Sequence, residues 1–120
     1  MNKVFDLMKY TLITGASQGM GLQMAKECAA LKRNVLLISL PNENLKALSD
    51  EISNEYHVST DFFETDLTIL ESAKNIFKWV QKNNYSVDFL INNAGFGGVG
   101  PFEDYSIEYI ESMIDLNIKA

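Results

Sequence analysis

A short β-rich segment, Lys9-Tyr10-Thr11-Leu12-Ile13-Thr14, runs straight into Gly15-Ala16-Ser17-Gln18-Gly19-Met20-Gly21 and then into the helix-forming stretch Leu22 to Leu31. Strand, glycine-rich turn and helix in that order leave a chain few choices. The first backbone N–H groups of a helix lack intrahelical partners, and the helix dipole adds partial positive charge there. A helix start fed directly by a strand is therefore a receptor for a phosphate-bearing nucleotide. Glycines supply the unusual φ/ψ of the turn and, lacking a Cβ, let a pyrophosphate approach the main chain.

The spacing excludes two neighbouring motifs. A P-loop needs Gly-x4-Gly-Lys-Ser/Thr, but counting from Gly15 puts Met20 at the second glycine, and no lysine follows. The fingerprint Gly-x-Gly-x-x-Gly fails as well, since Ser17 and Met20 take its later glycine positions. The pattern Thr-Gly-x-x-x-Gly-x-Gly, Thr14 to Gly21, resembles the cofactor turn of the short-chain dehydrogenase/reductase family.

At 120 residues the chain suits one small domain, with residues 1–8 as an N-terminal extension and 9–120 as the fold proper. Its 47% hydrophobic and 22% charged residues are those of an ordinary globular sequence. A net charge of −6 with no basic stripe argues against a nucleic-acid surface. The single Cys28 excludes an internal disulfide and a cysteine metal cluster, and its expected place is a small buried position on the first helix. The lone His57 is expected at the surface, at a helix–strand junction. No apolar run is long enough to span a membrane, and Asp6 and Lys9 interrupt any secretory h-region, so a cytoplasmic protein is expected.

Strand-like and helix-like segments alternate without repeats. Asn34 to Ser39 is a continuous apolar run, as in a strand covered on both faces. Asn42 to Tyr56 carries Leu45, Leu48 and Ile52 at helical spacing, and Val58 to Thr65 reads as a third strand. Thr68 to Asn83 predicts a helix with Leu70, Ala73, Ile76, Phe77 and Val80 facing inward. Val87 to Asn92 predicts a fourth apolar strand, and Ser106 is placed to cap a last helix carrying Ile110, Met113, Ile114 and Asn117. This alternation predicts an α/β, Rossmann-type doubly wound parallel sheet in the order 3-2-1-4, truncated before any later strands. Lys32 stands where the family usually ends its first helix with glycine, which costs about 1 kcal/mol in the left-handed conformation.

Nucleotides bind beyond the carboxyl ends of such strands, at the switch point between strands one and four. The second specific motif falls there: Asn92-Asn93-Ala94-Gly95 closes the fourth strand and resembles the family's Asn-Asn-Ala-Gly residue for residue. Asparagines at a strand end can pair with backbone groups that the sheet leaves open. Gly95-Phe96-Gly97-Gly98-Val99-Gly100 then spells Gly-x-Gly-x-x-Gly, but Pro101 follows and no helix opens until about Ser106. It reads as a mobile loop near nicotinamide and substrate, with Phe96 and Phe102 as an apolar wall.

The resemblance implies cofactor contacts from Gly15, Ser17, Gln18, Gly19, Met20 and Gly21 on the turn, and from Ser39 and Leu40 at the end of strand two. It adds Asp66 and Leu67 after strand three, with the aspartate accepting from the adenine amino group, and Asn93, Ala94 and Gly95 after strand four. Alone, Asp66 would read as a turn or N-cap residue. Asn117 resembles the helical asparagine that joins the family's active site and holds a water in a proton relay to the catalytic lysine. An acidic residue ending strand two would bind NAD ribose hydroxyls, and a nearby arginine the extra phosphate of NADP. The neutral Ser39 and Leu40 lack a carboxylate to repel phosphate and favour NADP over NAD, while Gln18 replaces a frequent basic residue.

The family's chemistry also needs a serine and a Tyr-x-x-x-Lys pair. None of Tyr10, Tyr56, Tyr85, Tyr105 or Tyr109 has lysine four residues later. The chain stops at Ala120 inside a helix without a stop signal, so it reads as the cofactor-binding, amino-terminal half of an NAD(P)-dependent oxidoreductase, inactive alone. The resemblance further implies a small carbonyl or alcohol substrate and a homo-oligomeric full-length protein. The alternative is a non-catalytic dinucleotide-binding or interaction module, complete at this length.

Overall fold

The four strands of the computed structural model, which describes residues 9–96 and 100–120, are short, and β-branched or apolar residues predominate in each. The elements are β1 (Lys9–Thr14), α1 (Gly19–Ala30), β2 (Asn34–Ser39), α2 (Leu45–Tyr56), β3 (Thr60–Glu64), α3 (Ser72–Lys82), β4 (Ser86–Ile91) and α4 (Ile107–Ile114). A 3-10 turn covers Phe102–Asp104, and a π-helical turn, Asp115–Lys119, follows α4. The four strands form one sheet in the order β3-β2-β1-β4, every pairing parallel. The expected doubly wound order is the observed one.

Period-two alternation explains the two cores. On one face Ile13, Val35 and Leu37 pack with Ala25 and Ala29 of α1 and with Leu45 and Ile52 of α2. On the other, Tyr10, Leu12, Leu36 and Ile38 pack against Ile76, Trp79 and Val80 of α3. Both faces of β2 are covered, hence its unbroken apolar run. Cys28 is buried in the first core, and His57 is exposed at the end of α2.

Helix ends follow backbone chemistry rather than hydrophobic spacing. Lys32 takes a left-handed φ of 65° and closes α1 with a Schellman pattern: its N–H donates to Ala29 O at 2.9 Å, and Arg33 N–H donates to Cys28 O at 3.0 Å. Lys32 Nζ also donates to Tyr56 O at 2.5 Å, tying α1 to the end of α2. α2 starts at Leu45, three residues later than Asn42, because Asn42 and Asn44 both adopt left-handed φ. α3 starts at Ser72 rather than Thr68. Asp66 Oδ1 accepts from Thr68 N (2.9 Å) and Thr68 Oγ1 (2.7 Å), holding residues 66–71 as a turn.

The inward face expected for α3 is therefore corrected. Ser72 and Ile76 are buried, whereas Leu70 precedes the helix and is 90% exposed, and Ala73 and Phe77 face outward. Ala73 borders a cleft with Leu90 of β4 and Leu116 and Ile118 of the π-helical turn. β4 itself leaves Phe89 and Leu90 about half exposed. Ser106 caps α4 as expected, its Oγ accepting from Tyr109 N at 3.1 Å.

At the amino end of the strands Tyr85 packs its ring on Tyr10 and Trp79, and its hydroxyl donates to Asp61. Burial pushes the phenols of Tyr85 and Tyr10 above their ordinary range, and the Asp61 charge adds to the effect.

Candidate functional site

The carboxyl end of β1 is the hub of the opposite end of the sheet. Thr14 Oγ1 accepts from Asn93 N and Ala94 N, both at 3.0 Å, tying the chain after β4 to β1. Asn93 Nδ2 donates to Thr14 O and Gly15 O, each at 3.2 Å. An asparagine at the strand end thus supplies the donors that the sheet lacks there. Ala16 N–H donates to Ile38 O at 3.1 Å and anchors the glycine turn to β2.

The three turn glycines answer to different constraints. A Cβ on Gly21 would fall 2.0 Å from Gly15 O and 2.5 Å from Asn93 Nδ2, so this position admits no side chain. Gly15 has φ +64°, and a Cβ there would meet Asn93 Nδ2 at 2.9 Å. Gly19 has φ +59° with open space around a virtual Cβ. No side chain caps α1: its N-cap residue Gln18 is extended and makes no side-chain cap bond. The helix N-terminus is left to attract an anion.

A cleft of about 730 Å³ opens at this terminus. Every residue the sequence assigns to the cofactor lines it except Gly21, which is buried beneath the turn. Gly15, Ser17, Gln18, Gly19 and Met20 come from the turn, Ser39 and Leu40 from the end of β2, Asp66 and Leu67 from the end of β3, and Asn93, Ala94 and Gly95 from the end of β4. Asp66 is the turn residue that its sequence position alone suggests, and it also lines the cleft.

Asn117 sits in the π-helical turn and borders an adjoining cleft with Asn92 and Leu116. Its Nδ2 donates to Phe96 O at 2.7 Å and its Oδ1 accepts from Phe96 N at 3.0 Å. A Cβ on Gly95 would meet Asn117 Oδ1 at 2.8 Å, so glycine at 95 is what allows this pairing. π turns interrupt the regular helix ladder and are frequent at functional sites. Phe96 lines the main cleft and packs edge-on against Tyr109, but Phe102 is 74% exposed and forms no wall. The middle of the expected mobile loop, Gly97 to Val99, lies outside the described residues.

Sequence reasoning missed Glu43. Its carboxylate accepts from Ser17 Oγ, and it lines the same cleft as Ser39 and Leu40. The signal was the pair of asparagines around it, residues suited to the left-handed turn that folds this loop back over the cleft.

A family model described as short chain dehydrogenase matches residues 9–120. The chain belongs to the short-chain dehydrogenase family. Oxidoreductase UcpA of Salmonella typhimurium is 34% identical over 112 residues, which are 93% of this short-chain dehydrogenase and 42% of that protein. Two solved structures share the fold at 30% identity over 92% of this chain. A short-chain dehydrogenase from Sphingobium yanoikuyae, in complex with NADPH, gives a TM-score of 0.83 with 43% of its chain covered. An alcohol dehydrogenase from the archaeon Thermococcus sibiricus, complexed with 5-hydroxy-NADP, gives 0.85 with 47% covered. The chain spans less than half the length of these relatives.

Proposed function

We propose that this chain is the cofactor-binding portion of an NAD(P)-dependent oxidoreductase acting on a carbonyl or alcohol substrate. The carrying observation is the uncapped N-terminus of α1, opening into a cleft bordered by the ends of all four strands. A bound nicotinamide dinucleotide would supply hydride chemistry. The chain's part is to bind and orient. The first N–H groups of α1 and the glycine turn would hold the pyrophosphate. Asp66 would accept from the adenine amino group, Ser39 and Leu40 would hold its ribose, and Asn93, Ala94 and Gly95 would hold the nicotinamide half. Thr14 and Asn93 keep the two motifs in register.

The cofactor expected is NADP(H), with NAD(H) as the alternative. The neutral end of β2 supports this, as do the NADPH and 5-hydroxy-NADP bound by the two structural relatives. Asn117 is assigned to the proton relay by resemblance, with a side chain already held by the Phe96 backbone. The non-catalytic alternative rests on the absence of Tyr-x-x-x-Lys from these 120 residues. Calorimetric titration of the folded chain with NADPH and NADH tests the binding reading, and absence of heat with both overturns it. Steady NADPH oxidation by the purified chain with a ketone would overturn the expectation that it is inactive alone.

A further inference from the structure

We propose that Glu43 limits the preference for NADP(H) that the neutral strand end gives, its carboxylate opposing the 2′-phosphate that distinguishes NADP(H) from NAD(H). This rests on the dinucleotide reading of the cleft. In such folds the adenosine ribose lies at the end of the second strand, where a carboxylate suits free hydroxyls and repels a phosphate. The strand-end positions Ser39 and Leu40 are neutral, but Glu43 enters the same cleft from the following loop, where it meets Ser17 of the glycine turn.

Its placement is built. Left-handed Asn42 (φ 68°) and Asn44 (φ 59°) fold the loop back, and Asn42 N–H donates to the Glu64 carboxylate at 3.3 Å. Ser17 Oγ, on the glycine turn, donates to Glu43 Oε2 and so ties this loop to the turn. Among the described residues, the charged ones lining the cleft are Glu43 and Asp66, both acidic, and no lysine or arginine lines it. Asp66 Oδ1 is already engaged by Thr68. A 2′-phosphate at this end would therefore meet a half-buried carboxylate and no cation from the described lining.

The test compares dissociation constants for NADPH and NADH in the wild-type chain, Glu43→Gln and Glu43→Lys. Glu43→Gln keeps an oxygen that accepts from Ser17 and removes only the charge. NADPH is expected to bind about tenfold tighter to Glu43→Gln, with NADH changed less than about threefold. Glu43→Lys should move the ratio further toward NADPH. Raising salt from about 0.05 M to about 0.5 M should shrink the wild-type-to-variant difference, as charge repulsion requires. A purely structural Glu43 would shift both cofactors equally and without salt dependence, and that result overturns the assignment. An unchanged ratio overturns it too, while leaving dinucleotide binding intact. A folded wild-type chain that binds neither cofactor overturns the dinucleotide reading itself, and this assignment with it.

Discussion

Single residues decide whether the glycine turn can exist. Gly21 is the tightest, because an added Cβ would lie 2.0 Å from a carbonyl oxygen of the same turn. Gly21→Ala should therefore cost about 1–3 kcal/mol of stability and abolish nucleotide binding. Thermal denaturation and cofactor titration of the variant check this, and wild-type behaviour in both would contradict it. Lys32 is the opposite case, a side chain in a conformation that favours glycine. Lys32→Gly should release that strain, worth about 1 kcal/mol, less whatever the Nζ–Tyr56 bond contributes. Urea unfolding would show a higher midpoint, and a clear drop would mean that the bond outweighs the strain. Both sites were legible in the sequence, since glycine spacing and a missing glycine are backbone statements. Glu43 was not, because its role depends on a loop whose path is set by two left-handed asparagines rather than by any periodicity.

Strands were more legible than helices. β1 and β2 have the boundaries that their β-rich composition predicts, whereas α3 lost its expected first turn to Asp66, whose side chain outcompetes the helix for Thr68. The exposure of Leu70, Ala73 and Phe77 could not be read from spacing, which finds an apolar stripe but not which part of it a neighbour covers. At the amino ends of β1, β3 and β4, Tyr10, Tyr85 and Asp61 make a pH prediction. Both phenols have raised pKa values in the folded state, against 10.0 for the ordinary group. Folding thus favours the protonated phenol. That stabilisation is complete below pH 10.0 and is lost as pH rises from there through the folded-state values. Denaturation midpoints compared at about pH 9 and about pH 11 should fall, and fall less in Tyr85→Phe. Equal midpoints at both pH values would contradict this.

For the whole molecule, the open side of β4 matters most. Its described strand partner is β1 alone, and its charged residue, Asp88, is ion-paired with Arg33. A half-exposed apolar strand without a free gatekeeper charge is a template for edge pairing. The chain should associate as concentration rises, and light scattering that reports a monomer at high micromolar concentration would contradict that. The central claim is that the carboxyl ends of the strands form a dinucleotide site. Backbone amide chemical shifts during NADPH titration test it most directly, at a concentration where the chain gives a resolved spectrum. Gly15, Gly19, Met20, Ala94 and Gly95 should shift together and saturate with one dissociation constant, while Tyr10 and Tyr85 at the other end of the sheet stay fixed. Shifts confined to the amino end, or none in the glycine turn at saturating NADPH, would contradict the account.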